Sequence, residues 1–236
     1  MKQQPFKLKV FSVVNHAYSI LPKVKAVSAV LAYHGYDYTQ HVDPSWFGWP
    51  SKLINFIRMV KDLDPSYTHV MLIDGADVVT LAGPEQVMSR WSEFNHPWVF
   101  NAEPHIWSPE SFTPEQYPTP QCTYRYLNAG ASIGEREHIL RWYREWTNDF
   151  SEDPMCIHGD QDWYAERFIR FYPEAIQLDH NCHLFQCMCG SDWLCDVTPG
   201  HLHNNDTNSD PLIIHFNGGT DITLPDRSFL WDHWIQ

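Results

Sequence analysis

The sequence contains no uncharged apolar stretch of about 18 residues, the length that a helix needs to cross a bilayer. Its first residues, MKQQPFKLKVFSVV, run directly into a strand-like pattern and lack the small-residue cleavage site of a secretory signal peptide. Both absences favour a cytoplasmic protein over a secreted or membrane-bound one.

Basic residues are scarce, because 16 Lys and Arg stand against 29 Asp and Glu, for a net charge of −13. A general nucleic-acid binder needs a basic surface, so this composition argues against one. It leaves open a local basic groove, or a nucleotide held through a metal ion. No repeat, low-complexity tract or linker divides the 236 residues, and their 43% hydrophobic content can form a sizeable core. We therefore predict one domain over residues 1–236.

The six cysteines lack the two-residue spacing of common zinc motifs. Four of them lie in Cys182–Cys195 with the spacing C-x4-C-x-C-x5-C, close in sequence to His183, His201 and His203. Three interpretations stay open: a structural zinc site, one or more disulfides, and free buried thiols.

What the chain does contain is an alternation of strand-like and helix-like segments. The apolar patterns predict strands over 7–14, 36–42, 70–73, 98–102 and 212–214, an extended segment over 176–185, and helices over 21–33, 51–63, 84–94, 135–149 and 160–171. Residues 124–134 are turn-prone, and residues 187–208 are predicted to be a loop. Such an alternation predicts an α/β domain with a doubly wound, mostly parallel sheet flanked by helices.

The segment His69–Leu81 carries the clearest chemical signal. A buried strand, Val70–Ile73, runs into Asp74, and a second carboxylate follows at Asp77. Ligands of open α/β sheets bind beyond the carboxyl ends of the strands, and paired carboxylates there suit a hard divalent cation. Aspartates at strand ends are also ordinary turn and cap residues, so this segment alone leaves both interpretations open.

Seven segments follow one another along the chain: LIDGADV at 72–78, FNAEPHIWSPE at 100–110, EQYP at 115–118, YRYLNAGASIG at 124–134, GDQDWYAERF at 159–168, IQLDHNCHLFQ at 176–186 and IHFNGG at 214–219. Taken together and in this order, the series resembles the glycosyltransferase domain of the lysyl hydroxylase and collagen glucosyl- and galactosyltransferase family. The segments span most of the chain. The resemblance implies a GT-A-like fold and a hexosyltransferase that takes its sugar from a nucleotide sugar, in this family a UDP-sugar.

The resemblance also implies a metal site at Asp74, Asp77 and His215. Two carboxylates and one imidazole suit Mn²⁺ better than Mg²⁺, which prefers oxygen ligands, although Mg²⁺ stays possible. A divalent ion would stabilise the charge that develops on the diphosphate leaving group. Taken alone, His215 is more simply a hydrogen-bonded histidine at a strand end.

Further roles follow from the same resemblance. The residues expected to bind the nucleotide sugar are Val14, Asn15, Lys52, Asp74, Asn217 and Gly218. The residues expected at the reaction centre are Asp160, as acceptor base or sugar ligand, Trp107, as a wall against the sugar, and Asn128, as a partner of sugar hydroxyls. Three of these residues have an ordinary alternative role: Lys52 as a solvated surface lysine, Asn128 as a turn former and Asp160 as a helix cap.

The chain departs from the family pattern at two points. Ala76 stands where an aromatic usually stacks on uracil, so Trp49 or another ring must supply the stack, or the base pocket is looser. Asp221 stands where members of the family often have a lysine, shortly after the segment that corresponds to His215–Gly218. The acceptor stays open between a hydroxylysine-type side chain, another sugar and a hydroxylated nucleobase. Two other functions compete: a catalytically silent nucleotide- or carbohydrate-binding domain, and a metal-dependent phosphohydrolase.

Overall fold

The computed structural model describes residues 6–118, 122–146 and 159–218. The strands are β1 (Leu8–Asn15), β2 (Tyr38–Asp43), β3 (His69–Ile73), β4 (Val78–Thr80), β5 (Trp98–Glu103), β6 (Tyr126–Glu135), β7 (Gln177–Leu178), β8 (Phe185–Cys187), β9 (Cys195–Thr198), β10 (His201–Asn204) and β11 (Ile213–His215). The helices are α1 (His16–Ser19), α2 (Pro22–Tyr33), α3 (Trp49–Asp62), α4 (Pro84–Trp91), α5 (Arg136–Trp146) and α6 (Asp160–Phe171), with short 3₁₀ turns at Pro114–Gln116 and Asp192–Leu194.

A six-stranded sheet with the order β2-β1-β3-β6-β5-β7 forms the centre of the fold. Strands β1, β2, β3, β5 and β7 run in one direction, and β6 runs against both of its neighbours. The predicted mixed α/β fold with a mostly parallel sheet is therefore confirmed. The carboxyl ends of β1, β3 and β5 meet at one edge of the sheet, where ligands bind in open α/β folds.

Apolar layers cover both faces of this sheet. Val70 and Leu72 of β3 pack into a core built with α3, α5 and α6, whereas Met71 and Ile73 pack into a second core with α2 and α4. Successive side chains of a strand point to opposite faces, which explains why a strand covered on both sides is apolar throughout. Every residue of β3 is buried for this reason.

Local sequence signals set the helix boundaries. Helices α2 and α4 begin on Pro22 and Pro84, where the missing backbone N–H leaves no hydrogen bond unmade. Helix α2 is followed by Gly35 with φ of +78°, a left-handed conformation that glycine adopts without strain. Helix α6 begins and ends where the sequence predicts, and the predicted 84–94 helix ends earlier, at Trp91. The last residues of the predicted 135–149 helix lie outside the described residues.

The prediction that residues 124–134 are a turn-prone segment is wrong. Residues 126–135 form β6, a ten-residue strand in the interior of the sheet between β3 and β5. Its small residues serve close packing instead of turns. A Cβ on Gly134, for example, would lie 2.6 Å from the Pro97 carbonyl oxygen. Tertiary contacts override the turn preference of glycine at such sites.

A second sheet contains three strands in the order β4-β11-β8. Of these, the apolar patterns predicted a strand only for β11, over residues 212–214. Residues 78–80 form β4 immediately after the aspartate pair and lie antiparallel to β11, with His215 opposite Val78. The predicted loop 187–208 is also wrong in part, because it contains the antiparallel pair β9 and β10. The predicted extended segment 176–185 turns at Asp179, whose carboxylate accepts backbone N–H bonds from His183, Leu184 and Phe185.

The five cysteines in the described part of the chain are free thiols: Cys122, Cys182, Cys187, Cys189 and Cys195. Among the described residues, the single group placed to hold a metal contains no cysteine. These findings favour free thiols over a disulfide or zinc site for these five, and Cys156 lies outside the described residues. No helix in the described ranges has the length and apolarity to cross a bilayer.

His69 opens β3 in a setting that opposes its protonation. The side chain is 6% exposed, its Nε2 has no hydrogen-bond partner, and its ring packs against Trp91 with 4.6 Å between centroids. Burial lowers the pKa of His69 to about 4. Since the unfolded chain then takes up a proton at higher pH than the folded one, acid must destabilise the fold through this residue.

We therefore expect wild type to lose about 2 kcal/mol of stability relative to His69→Gln when the pH falls from 7 to 5. The stability is present above the unfolded pKa of histidine and is lost as the pH falls toward 4. Urea denaturation at both pH values measures the difference. His16→Gln, a change at an exposed histidine, controls for histidine replacement as such, and parallel pH dependence of wild type and His69→Gln would contradict the assignment.

Candidate functional site

Two chain segments bring three predicted metal ligands together. Asp74 follows β3, and its backbone N–H donates to the Gly130 carbonyl at 2.7 Å. His215 ends β11, and the next residue, Phe216, donates its N–H to the Asp77 carbonyl at 2.9 Å. His215 Nε2 consequently lies 3.6 Å from a carboxylate oxygen of Asp74 and 3.6 Å from one of Asp77. The three ligand atoms lie within 4.8 Å of one another.

The charges of this cluster are strongly coupled. Burial raises the pKa of Asp74 to about 6, although Lys52 opposes the shift. Burial acts in the same direction on Asp77, but the neighbouring His215 outweighs it and holds the pKa of Asp77 below its usual value. Burial opposes the protonation of His215, and the two carboxylates nevertheless raise its pKa. The cluster is therefore a concentration of negative charge that attracts a cation.

The residues fit a divalent metal ion. Asp77 Oδ1 is buried and makes no hydrogen bond to another described residue, and a bound cation would satisfy it. Two carboxylates and an imidazole with Nε2 directed at them form a donor set suited to Mn²⁺. Among the residues that the structure describes, this is the one group of three or more such side chains close enough to share an ion.

Lys52 links this cluster to Asp160. Its ammonium forms an ion pair with Asp74 and a second one with Asp160 at 2.6 Å, and the side chain is 3% exposed. Burial would lower the pKa of Lys52, but the two carboxylates outweigh it and raise the pKa. The ordinary alternative, a solvated surface lysine, does not describe this residue. Asp160 is the first residue of α6 and is itself buried.

Helix α6 is fastened to β6 next to these charges. Gln161 accepts a hydrogen bond from the Ala129 N–H at 2.8 Å and donates to the Leu127 carbonyl at 2.5 Å. Asp162 accepts a hydrogen bond from the Ser108 hydroxyl at 2.5 Å. The start of α6 is thereby fixed against the sheet.

The clustered residues line one cleft of about 310 Å³. Its lining residues are Trp49, Lys52, Asp74, Asp77, Glu103, Trp107, Ser108, Asn128, Ala129, Gly130, Gly159, Asp160, Gln161, Asp162, His215, Asn217 and Gly218. Trp49 and Trp107 are more than half exposed. A concave site of this size with a few convergent polar groups is typical of small-molecule binding.

Of the nine predicted nucleotide-sugar and reaction-centre residues, seven line this cleft. Val14 and Asn15 are not among the lining residues. Val14 is buried at the end of β1, and the Asn15 side chain accepts the Tyr18 N–H at 2.8 Å to cap α1. Ala76 is buried, and Asp221 lies outside the described residues.

Glu103 is a site residue that the sequence analysis did not single out. It ends β5 and is 2% exposed. Its Oε1 accepts from Asn128 Nδ2 at 3.1 Å, and its Oε2 accepts from Asn217 Nδ2 at 2.9 Å. Burial raises the pKa of Glu103 to about 7. A signal was present, since a carboxylate after a buried strand parallel to β3 must reach the same sheet edge as Asp74.

Asn128 is more constrained than a sugar-binding amide alone would be. Its Oδ1 lies 2.8 Å from His215 Nδ1 and also accepts the Gly130 N–H at 2.9 Å. With Nδ2 donating to Glu103, one amide hydrogen is left for a sugar hydroxyl.

Gly130 permits the close approach of His215. A Cβ at this position would lie 2.0 Å from His215 Cε1, a distance that forces the imidazole to move. If the cluster holds a divalent ion, Gly130→Ala is expected to weaken Mn²⁺ binding by about tenfold or more, because the displaced ring no longer faces both carboxylates. Calorimetric titration with MnCl₂ measures this. Gly83→Ala, whose Cβ would lie at an ordinary 3.4 Å from the His34 carbonyl, is the matched control; equal affinity of the two variants would contradict the site.

Solved structures share this fold at low sequence identity. A glycosyltransferase involved in the glycosylation of the major capsid of PBCV-1 aligns with a TM-score of 0.56 at 12% identity, covering 91% of this chain and 95% of that one. The galactosyltransferase LgtC, in complex with donor and acceptor sugar analogs, aligns with a TM-score of 0.53 at 12% identity, covering 96% and 92%. The fold is thus that of GT-A glycosyltransferases.

Sequence relatives are more specific. Human procollagen-lysine,2-oxoglutarate 5-dioxygenase 2 is 29% identical over 180 residues, which cover 71% of this chain and 24% of that protein. Uncharacterized protein R699 of Acanthamoeba polyphaga mimivirus is 31% identical over 153 residues, covering 63% and 31%. The chain therefore spans less than a third of the length of these relatives. Residues 48–234 match the PLOD GT domain, and the chain belongs to that family of glycosyltransferase domains.

Proposed function

We propose that this chain is a glycosyltransferase that moves a hexose-type sugar from a UDP-sugar to a hydroxyl acceptor with the help of Mn²⁺. The observation that carries the proposal is the convergence of Asp74, Asp77 and His215 beside Asp160 in one cleft. Membership in the PLOD GT domain family supports the reaction class.

Asp74, Asp77 and His215 would hold the ion. When bound, a divalent ion acts as a Lewis acid that neutralises the charge on a diphosphate leaving group. Mg²⁺ is the alternative ion, although the imidazole ligand favours Mn²⁺.

Lys52 and Asp160 supply the remaining charges. Lys52 is the one lysine or arginine among the described lining residues, and its buried ammonium provides a second positive charge for the diphosphate. Asp160 is placed by its Lys52 contact and by its position at the start of α6. A carboxylate there can accept the proton of an attacking hydroxyl or bind a hydroxyl of the donor sugar.

The rim of the cleft provides apolar contacts. Trp107 presents an exposed ring that can pack against a sugar, and Trp49 presents a second one that can replace the base-stacking aromatic absent at Ala76. Asn217 and Gly218 bring polar backbone and amide groups to the same cleft. The acceptor classes compatible with this cleft are a hydroxylysine-type side chain, another sugar and a hydroxylated base.

The competing functions predict different features. A two-metal phosphohydrolase needs a second ligand group, and the described residues hold one such group. A catalytically silent binding domain would bind Mn²⁺ and nucleotide without releasing nucleoside diphosphate. Incubation with a panel of nucleotide sugars and Mn²⁺, with and without acceptors, separates these cases by the release of free nucleoside diphosphate.

Replacement of either proposed carboxylate ligand, Asp74 or Asp77, should abolish Mn²⁺-dependent UDP binding and leave the fold intact. In Asp74→Ala and Asp77→Ala we expect the affinity for UDP in the presence of Mn²⁺ to fall to the level seen with EDTA. Calorimetry measures the affinity and thermal unfolding checks the fold. Unchanged Mn²⁺–UDP affinity in both variants would remove the metal site from the proposal.

Asp160→Asn should lower turnover by about 10²–10⁴-fold with little change in UDP affinity, because general-base assistance is lost while the diphosphate contacts stay. Asp64→Asn, at an exposed carboxylate in the loop before β3 and thus at the opposite edge of the sheet, is the control. A near-normal rate of Asp160→Asn with the donor identified by the panel would exclude Asp160 as the base.

A further inference from the structure

Glu103 is the buried centre of a hydrogen-bond network that reaches His215 without touching it. Its two carboxylate oxygens accept one amide N–H each, from Asn128 and from Asn217. Asn128 then contacts His215, and Asn217 Oδ1 accepts the Cys189 N–H at 3.0 Å. The network therefore joins the end of β5 and the beginning of β6 to the segment after β11.

The chemistry of this network allows one orientation of Asn128. At pH 8, above the pKa of about 7 that burial gives Glu103, its ionised carboxylate only accepts hydrogen bonds, so the amide must turn Nδ2 toward Glu103. Its Oδ1 then faces Gly130 N and His215 Nδ1, at 2.9 and 2.8 Å. The backbone N–H of Gly130 independently requires an oxygen at this place.

This orientation decides which imidazole nitrogen carries the hydrogen. Because Asn128 Oδ1 cannot donate, the Nδ1 of His215 must do so. In the neutral ring the lone pair is then on Nε2, the nitrogen that faces Asp74 and Asp77 at 3.6 Å. Only a nitrogen with its lone pair free can bind a metal ion.

We propose that Glu103 is a positioning residue that prepares His215 for metal binding: it orients the Asn128 amide, and the amide in turn fixes the tautomer and direction of the imidazole. This inference rests on the proposed function, since it assumes that His215 is a metal ligand. It assigns to Asn128 a role in the metal site beside its expected contact with sugar hydroxyls.

Glu103→Gln tests the inference with little change in shape. The new amide can accept from one asparagine only, and its own NH₂ faces the NH₂ of the other. If the Asn128 amide rotates so that its oxygen accepts from the introduced glutamine, its NH₂ then faces both Gly130 N–H and His215 Nδ1. We expect the Mn²⁺ affinity, titrated by calorimetry at pH 8, to fall about 10–100-fold, as for other groups that orient metal ligands.

The double variant Glu103→Gln with Asn128→Asp is the rescue. In it the carbonyl oxygen of the introduced glutamine accepts from Asn217, while its NH₂ donates to the introduced carboxylate at position 128. The other oxygen of that carboxylate again accepts from His215 and Gly130. The number of carboxylates equals that of wild type. We expect Mn²⁺ affinity within about threefold of wild type, which a general loss of packing at Glu103 would not restore.

Asp162→Asn controls for the loss of one charge from the same cleft. Asp162 is about as buried as Glu103, and its carboxylate bonds the Ser108 hydroxyl instead of the amide that holds His215. Its Mn²⁺ affinity should stay within a few-fold of wild type. A fall equal to that of Glu103→Gln would assign the effect to charge and overturn the inference.

The outcomes separate this inference from the proposed function. Wild-type affinity in Glu103→Gln, together with loss of binding in Asp77→Ala, would overturn the positioning role alone. Absence of Mn²⁺ binding in wild type would overturn the proposed metal site and the inference with it. If Glu103→Gln does not fold, the double variant decides, because a folded double variant with weak Mn²⁺ binding contradicts the role.

Discussion

The structure of the site depends on how the chain places five carboxylates, three of them buried, together in one cleft. Burying charge is costly unless each charge is paired, and one lysine, Lys52, contacts both Asp74 and Asp160. Its ammonium therefore holds together three elements, since Lys52 lies on α3, Asp74 follows β3 and Asp160 begins α6. Even with this partner the pKa of Asp74 stays raised, to about 6, because burial outweighs the lysine. The lining of the cleft nevertheless contains five acidic side chains and this one lysine, so the acidic groups outnumber the basic ones where a divalent cation fits.

Hydrogen bonds from amide and backbone groups hold the residues that the ion pairs do not reach. Glu103 is satisfied by two amides, and the backbone of β6 supplies Gly130 N–H to Asn128 and the Gly130 carbonyl to Asp74. A single backbone residue thus orients groups on both sides of the candidate metal site, and a side chain there would occupy the space of the imidazole. Such surrounding contacts restrict the candidate ligands in advance, which would lower the ordering that metal binding requires.

The sequence predicted the parts of this arrangement that follow from periodicity and from strand ends. The α6 boundaries, the buried strand before Asp74 and the mostly parallel sheet came from apolar patterns, and the family resemblance added His215. The strand β6 was missed because its glycines serve close packing, which cannot be told from turn formation without the neighbouring strands. Lys52 was expected to be solvated in the absence of a resemblance, because its burial depends on two carboxylates far away in sequence. The position of Glu103 at the end of β5 was a signal that the sequence offered, but its contacts with the two asparagine amides depend on residues far away in sequence.

The cleft consequently has a fixed floor and an open rim. Floor residues such as Lys52, Glu103 and His215 are buried and bonded to one another or to shared partners, so a change in one disturbs the others. At the rim, Trp49 and Trp107 are 56% and 60% exposed, so much of each ring surface is open to a partner. A diphosphate with its metal ion needs ligands at fixed positions. A sugar or peptide acceptor, in contrast, can bind to aromatic surfaces of many shapes. Under the proposed function, the fixed floor would therefore meet the diphosphate and its ion, and the two exposed tryptophans would meet the base and the acceptor.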